Sequence, residues 1–234
     1  MKCPGCASEM TDMSLEGRLG SPVEFDVCTA CQAFWFDMYK SPQLSSGSTL
    51  QLMKFISDHP PTGALSKAEN LRCPRCGGRL LLTHDIGRAS KFTYWRCEQE
   101  HGRFIGFVDF LREKDFIHPL SPQQIKELRQ NVQIVNCSNC GAPIDLAVGS
   151  VCEHCGSPLS ILDMKQPQRL LQELKGAQHP IDEKRLMFDL TMAKLEGETS
   201  LSVLRGEPDW IKDVSTTGLV HACLSAVARW IENL

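Results

Sequence analysis

Apolar and polar residues alternate over Val23-Glu-Phe-Asp-Val27, which is the period of a half-buried β-strand. Turn residues precede this segment at Gly17, Gly20 and Ser21-Pro22. A short apolar segment, Phe34-Trp-Phe36, follows it. The pattern therefore predicts three short strands joined by tight turns in the first 40 residues.

Two short helices are predicted further along the chain. Ser48-Thr-Leu-Gln51 has the form of a capping box, and Leu52, Met53 and Ile56 then fall on one helical face before Pro60-Pro61 stops the helix. Ser121-Pro-Gln-Gln124 is a second start signal, with a proline at the first helical position. An apolar face follows it at Ile125, Leu128 and Val132.

Helical periodicity dominates residues 163–234. Leu170, Leu171 and Leu174 share one face, and Leu186, Leu190 and Ala193 share another. The clearest amphipathic face comes last, at Val220, Cys223, Leu224, Val227, Trp230, Ile231 and Leu234. This region predicts a small domain of three or four helices, in which Cys223 is a buried apolar residue rather than a reactive thiol.

Eleven of the 12 cysteines and one histidine form three sets of four, each made of two closely spaced pairs. The sets are Cys3, Cys6, Cys28 and Cys31; Cys73, Cys76, Cys97 and His101; and Cys137, Cys140, Cys152 and Cys155. Such spacing is typical of tetrahedral Zn²⁺ sites. The sequence therefore predicts three bound Zn²⁺ ions. Iron in a rubredoxin-like centre is the competing metal.

The second set repeats the plan of the first, because 20 residues separate its two pairs against 21 in the first set. Its fourth ligand is a histidine, and His101 is preferred over His84 because it completes the second pair. Four protein ligands in each set indicate structural sites, since a catalytic zinc keeps an open position. Units this small need metal to fold.

The predicted fold class is multi-domain α+β, with a small metal-stabilised β region of three zinc ribbons and a C-terminal α-helical domain. The predicted segments are a first ribbon at 1–45, a short helix and linker at 46–70, a second ribbon at 71–120, a helix at 121–133, a short third ribbon at 134–160 and the helical domain at 163–234.

The first ribbon resembles a known family. Cys3-Pro-Gly-Cys6, followed by Cys28-x-x-Cys31-x-x-x-Trp35-Phe36-Asp37, is similar to the bacterial zinc ribbons of the transcription factor IIB type. The resemblance covers residues 1–45 and implies zinc binding and a role near nucleic acid. Asp37 and the aromatic residues around Trp35 are then either a recognition surface or a cover packed over the metal site.

Charge and cysteine use narrow the classes of function. The formal net charge is −3, and three zinc–thiolate centres lower it to about −8. This is not the global basic footprint of a nucleic-acid-binding protein. The sequence has no apolar run long enough for a membrane span and leaves no room for a signal peptide before Cys3. A reducing, cytoplasmic compartment is therefore expected.

One local basic patch lies in the second ribbon. Its candidate nucleic-acid contacts are Arg79, Arg88, Lys91, Tyr94 and Arg96, because basic residues bind phosphates and exposed aromatics stack on bases. The alternative is that the aromatics belong to the core and the arginines form a solvated surface.

No enzyme motif is present in the sequence. We therefore expect a non-enzymatic adaptor that binds a protein partner, or a second copy of itself, through the C-terminal helices. The alternative is a transcription-associated protein that contacts nucleic acid through the second ribbon.

Overall fold

The computed structural model of the chain describes residues 1–38, 40–59, 70–87, 90–165, 167, 214–215 and 218–232. Its main sheet contains six antiparallel strands: β1 (Thr11–Glu16), β2 (Pro22–Cys28), β3 (Ala33–Phe36), β4 (Leu80–Ile86), β5 (Lys91–Cys97) and β6 (Arg103–Gly106). The order across the sheet is β1-β2-β3-β6-β5-β4. Two three-stranded meanders thus join edge to edge. We call residues 1–38 the first unit and residues 70–106 the second unit.

The junction between the two units is the pairing of β3 with β6. Phe34 lies opposite Ile105, and Trp35 lies opposite Phe104. Every residue of β3 is buried, which explains why Phe34-Trp-Phe36 shows no polar alternation, since a strand covered on both faces is apolar throughout. The two predicted ribbons are therefore halves of one continuous sheet.

The two faces of this sheet carry different cores. One face holds the buried ligand cysteines of both units, together with Trp35, Leu80 and Phe104; these cysteines are Cys3, Cys28, Cys31, Cys73 and Cys97. The other face holds Phe34 and Phe36, which pack against the helices of the protein in the larger core. Side chains that alternate along β3 and β6 thus separate the candidate metal sites from the main hydrophobic core.

Helix α1 (Ser46–Asp58) covers part of the larger core with Leu52, Met53 and Ile56, all fully buried. It begins earlier than the Ser48 cap that the sequence predicts. Ser45 is the N-cap, and its hydroxyl accepts a hydrogen bond from the backbone N–H of Ser48 at 3.1 Å. Ser48 instead donates its hydroxyl to the carbonyl oxygen of Glu16, which anchors the helix to the end of β1.

Shorter elements follow the main sheet: α2 (Phe107–Glu113), β7 (Ile117–Pro119), α3 (Pro122–Arg129), β8 (Ile134–Asn136), β9 (Pro143–Asp145) and β10 (Ser160–Leu162). Strand β7 pairs with β10, and β8 pairs with β9. The capping box predicted for α3 is present, because Ser121 and Gln124 exchange both of its hydrogen bonds. We call residues 134–160 the third unit.

Helix α4 (Leu219–Glu232) packs between α1 and β10. Val220, Cys223, Leu224 and Val227, which the sequence places on one apolar face, are all buried in the larger core. This part of the face therefore contacts the chain itself. A role for the C-terminal helices in binding a partner stays a prediction.

Several sequence predictions concern residues outside the described ranges. These include the helical faces around Leu170 and Leu186, the Pro60-Pro61 stop and the position of Arg88. Among the residues that the structure does describe, no helix combines the length and the apolar character needed to cross a membrane.

Candidate metal centres

The structure brings the predicted ligands together in three groups. Within each group, one ligand atom from each of the four residues lies within 4.8 Å of the others. The groups are Cys3, Cys6, Cys28 and Cys31; Cys73, Cys76, Cys97 and His101; and Cys137, Cys140, Cys152 and Cys155. Each group is positioned to hold one metal ion.

The distances between sulfur atoms fit a tetrahedral ion. Zn–S bonds of about 2.3 Å at tetrahedral angles place two sulfurs about 3.8 Å apart. The pairs measure 3.5 Å for Cys3–Cys31, 3.4 Å for Cys6–Cys28, 3.7 Å for Cys76–Cys97, and 3.6 Å for both Cys137–Cys155 and Cys140–Cys152. A disulfide needs about 2.05 Å, and all 12 cysteines are free.

The second group selects His101 over His84. The Nδ1 atom of His101 lies 3.5 Å from the Sγ atom of Cys97, close to the roughly 3.5–3.6 Å that tetrahedral Zn–S and Zn–N bonds require. His84 instead lies on the edge strand β4 opposite Thr93, where its side chain is exposed. The preference stated from sequence therefore agrees with the geometry.

Each Cys-x-x-Cys pair lies on a tight turn with the same backbone feature. The residue after the second cysteine has a positive φ in all five pairs: Ala7 at 60°, Gln32 at 49°, Gly77 at 71°, Gly141 at 75° and Gly156 at 71°. In four of these turns, that residue donates its backbone N–H to the carbonyl oxygen of the first cysteine, at 2.7–2.9 Å. The turn points both sulfurs toward one point, and it favours glycine at this position.

The Cys97–His101 pair has one more residue between its ligands than the Cys-x-x-Cys pairs. Its turn therefore differs from theirs, although it also points both ligand atoms toward one point. Glu100 takes the positive φ, at 58°, and the N–H of Cys97 bonds to the carbonyl oxygen of Gly102 at 3.0 Å. The extra residue gives the imidazole, which is larger than a thiol, the room to reach the other three ligands.

Thiols packed this closely cannot all ionise on their own, because each anion raises the pKa of its neighbours. Hydrogen bonds from Cys3 and Cys31 lower the pKa of Cys28 to about 2. Hydrogen bonds to Cys28 and Cys3, together with burial, raise the pKa of Cys31. In the third group, a hydrogen bond from Cys137 lowers the pKa of Cys155 to about 3. A divalent cation removes this conflict by favouring the thiolate form of every ligand.

Each of the first two ligand groups has beside it an aromatic side chain from the other unit, across the β3–β6 junction. Phe104 of the second unit lies against Gly5 in the first group's turn, where a Cβ atom would come 3.2 Å from the phenyl ring. Trp35 of the first unit lies against Gly102 beside the second group, where a Cβ atom would come 2.9 Å from the indole ring. Each aromatic side chain therefore packs beside the other unit's candidate metal site.

Trp35 is consequently a packing residue, because its side chain is fully buried. Asp37 lies nearer the surface and forms an ion pair with Arg75, which stands between the ligands Cys73 and Cys76 of the second group, at 3.4 Å. Of the two interpretations offered by the sequence, the structure supports the packed cover for Trp35. Asp37 adds a polar link between the two units.

The third group is attached to the main hydrophobic core. Cys137 and Cys152 are buried in the core that contains α4. The hydroxyl of Ser138, which lies in the turn between Cys137 and Cys140, accepts the backbone N–H of Val220 at 3.2 Å. Gly218 approaches so closely that a Cβ atom there would collide with the carbonyl oxygen of Asn136. The start of α4 thus lies directly on the third candidate site.

Gln32 connects the first candidate metal site to two helices, a role that the motifs did not indicate. Its Oε1 atom accepts a 2.6 Å hydrogen bond from Nε2 of His221 on α4, and its Nε2 atom donates to the carbonyl oxygens of Ile56 and His59 at the end of α1. A polar residue directly after a Cys-x-x-Cys pair, where glycine is usual, was the available signal.

The candidate nucleic-acid contacts are only partly brought together. Arg79, Lys91 and Arg96 are exposed, whereas Tyr94 packs partly against the larger core under the guanidinium group of Arg103, at 4.9 Å. Lys91 and Arg96 lie five positions apart on β5, so they project from opposite faces of the sheet. Arg88 lies outside the described residues.

Comparisons with known proteins give no relative for this chain: no family model, curated protein or solved structure matches it. The resemblance of residues 1–45 to transcription factor IIB-type zinc ribbons therefore rests on the motif itself and stays a prediction.

Proposed function

We propose that this chain is a non-enzymatic zinc protein whose three metal-stabilised ribbons form a docking or adaptor scaffold in a reducing, cytoplasmic compartment. The observation that carries the proposal is the placement of twelve side chains in three complete four-ligand groups at tetrahedral spacing. With four protein ligands in each group, no coordination position is left for a substrate, which is the arrangement of structural zinc.

The donor set supports zinc over iron. The second group mixes three thiolates with one imidazole, a combination that structural zinc sites commonly use. A rubredoxin-like iron centre uses sulfur ligands alone, so iron would fit the first and third groups better than the second. When bound, the ion supplies folding energy and holds the turns together.

The exposed apolar residues support a docking role. Among the described residues, three of the six exposed large apolar side chains belong to the third unit, namely Ile134, Val148 and Val151, with exposed fractions of 49%, 75% and 53%. Because these side chains lie within one small unit, we take them as the candidate docking surface. The buried part of α4 is not available for this purpose unless the helix detaches, so the third unit is the better candidate.

The test combines metal analysis with partner capture. Mass spectrometry of the purified protein is expected to give three zinc ions per chain, and a tagged protein is expected to retain partners after nuclease treatment. Val148→Asp with Val151→Asp should abolish that retention, whereas Leu19→Asp, at a side chain that is 95% exposed in the first unit, should not. Fewer than three zinc ions, or retention unaffected by the paired substitution, would contradict the proposal.

A nucleic-acid-binding, transcription-associated function is the second candidate. The observation that favours it is the exposure of Arg79 and Arg96 in the second unit. Loss of all captured partners after nuclease treatment would favour this alternative.

A further inference from the structure

The two units of the main sheet have opposite charge. In the first unit, six carboxylate residues stand against two basic residues. In the second unit, seven basic residues stand against three carboxylates. A mixed Cys₃His zinc centre is also about one charge less negative than a Cys₄ centre. The overall acidity of the chain therefore hides a sheet whose second half is locally basic.

Equivalent positions in the two units show where this difference is concentrated. In each unit, an antiparallel bridge flanks the first Cys-x-x-Cys pair. It joins the residue directly before the first cysteine to the residue three positions after the second cysteine. In the first unit this pair is Lys2 with Glu9, and in the second unit it is Arg72 with Arg79. Opposite charges directly across a strand pair attract, whereas like charges repel. The first unit compensates its own charge at this position and the second unit does not.

A third arginine lies on the same face. Leu80 points into the core with the ligand cysteines, so Arg79 and Leu81 project from the other face. Arg96 lies directly opposite Leu81 in the β4–β5 pairing. Arg79 and Arg96 are thus diagonal neighbours, which places their Cβ atoms about 7 Å apart. We call Arg72, Arg79 and Arg96 the arginine face.

None of these three exposed arginines forms an ion pair with a carboxylate among the described residues; Arg72 donates only to the carbonyl oxygen of Gly77. Arg75 and Arg103, which lie nearby in the same unit, are paired with Asp37 and Glu113. The chain therefore neutralises some arginines of the second unit and leaves this row of three open to an external anion.

We infer that the arginine face binds the phosphate backbone of a nucleic acid. Guanidinium groups match phosphate oxygens in a two-pronged geometry, and a row of arginines suits a regularly charged polymer. A protein partner would need apolar contacts at the centre of its interface. The exposed apolar residues of β4, Leu82 and Ile86, project from the opposite face.

The contact is expected to be independent of base sequence. Tyr94, the aromatic residue nearest Arg96 on this face, is held under Arg103 and packs against the core, so it offers no free ring on which a base could stack. Binding through phosphates alone weakens steeply with salt. This inference rests on the proposed function only in requiring that the second unit folds around its metal ion.

The experiment measures fluorescence anisotropy of a labelled single-stranded oligonucleotide of mixed sequence with the zinc-loaded full chain. Three phosphate contacts predict that affinity falls roughly 20-fold between about 50 and 200 mM salt. Arg72→Ala, Arg79→Ala and Arg96→Ala together should lower the slope of log affinity against log salt by about 2. Arg79→Glu, which reproduces the charge pattern of Lys2 and Glu9, should weaken binding about tenfold. The control is Arg129→Ala on α3, an exposed arginine outside the second unit.

Several outcomes would overturn the inference. Unchanged affinity and salt slope in the triple variant would do so directly. If polyglutamate competes with the oligonucleotide as well as unlabelled oligonucleotide does, the arginine face binds acidic proteins instead. If the variants lose self-association at low salt, the face binds the acidic first unit of a second copy instead. Zinc content is measured on every sample. A protein that holds a metal other than zinc and still needs the arginines would contradict the proposed function alone, whereas full zinc content with arginine-independent binding would contradict this inference alone.

Discussion

Trp35 and Phe104 lie directly opposite each other where the two halves of the main sheet meet, and each covers the other half's candidate metal site. Both side chains are fully buried. Because the covers are exchanged, a rearrangement at either candidate site would disturb a residue that packs beside the other site. The first and second sites are therefore expected to behave as a coupled pair, whereas the third site, which shares no aromatic cover with them, is linked to the first only through α4.

This coupling predicts the effect of Phe104→Leu. The substitution leaves a cavity beside Gly5 and is expected to destabilise the fold by about 1–3 kcal/mol. Two of the three zinc ions should then transfer faster to a chromophoric chelator, although Phe104 is not a ligand. Phe116→Leu, in the larger core, is the matched control and should not accelerate this pair. Faster release of a single ion in Phe104→Leu would show that the sites are not coupled.

Positive φ at the metal-site turns predicts opposite effects for two reciprocal substitutions. Ala7 has φ 60°, a conformation that is unfavourable for a residue with a Cβ atom by about 1 kcal/mol. Ala7→Gly should therefore stabilise the zinc-loaded protein by up to about 1 kcal/mol. Gly77→Ala should destabilise it by about as much, through conformation alone, because a Cβ atom at Gly77 would meet nothing within 4 Å.

The measurement for this pair is the midpoint of denaturant unfolding at a fixed concentration of free zinc. Equal slopes of the unfolding curves are required for the comparison, since a changed slope reports a changed denatured state. A lower midpoint for Ala7→Gly would contradict the explanation. It would mean that the methyl group of Ala7 adds more to the free energy of unfolding than the strained backbone conformation subtracts from it.

Much of this arrangement follows from local sequence. The ligand pairs, the strand at Val23–Val27 and the capping box at Ser121 depend on residues a few positions apart, and the structure contains all three. Glycine directly follows three of the Cys-x-x-Cys pairs, at 77, 141 and 156, which suits the positive φ of these positions. Local spacing therefore identified the candidate ligands, His101 included.

The joining of the first and second units into one sheet was not predicted. Strands β3 and β6 are separated by more than 60 residues, and the apolar sequence of β3 on both faces is equally consistent with a strand packed beneath a loop. The sequence of a single strand does not show which distant strand it pairs with or in which register. The same reason explains α4, whose apolar face was evident but whose location against α1 and β10 was not.

Gln32 is expected to connect the first metal site with both helices. Gln32→Ala removes hydrogen bonds to His221 and to the end of α1, and leaving buried partners unsatisfied costs about 1–3 kcal/mol. A double-mutant cycle with His221→Ala should give a coupling energy of at least about 0.5 kcal/mol. Gln123→Ala, at an exposed position of α3, is a control for the loss of an amide. Strict additivity of Gln32→Ala and His221→Ala would show that the two side chains do not interact in solution.

Lys114 should make stability depend on pH in the alkaline range. Burial lowers its pKa from 10.5 to about 8, although Glu113 opposes the shift. Its ammonium group donates to the carbonyl oxygen of Ser41 at 2.6 Å and lies 5.5 Å from the ring of Phe110. Between pH 8 and 10.5, the unfolded chain binds more protons at this lysine than the folded chain does. The unfolding free energy therefore rises with pH across this window, by at most about 3 kcal/mol.

Lys114→Met removes this titration, so the stability of the wild-type protein relative to the variant should increase as pH rises from about 8 to 10.5. Tyrosine and thiol groups titrate in the same pH range. Their contributions to the pH dependence of the unfolding free energy cancel when the two proteins are compared. The measurement is chemical unfolding at each pH with zinc in constant excess, and Lys126→Met, an exposed lysine of α3, should track the wild type. A difference between Lys114→Met and wild type that stays constant with pH would mean that the lysine keeps its ordinary pKa, and that the carbonyl of Ser41 and the carboxylate of Glu113 fully offset the loss of water around its charge.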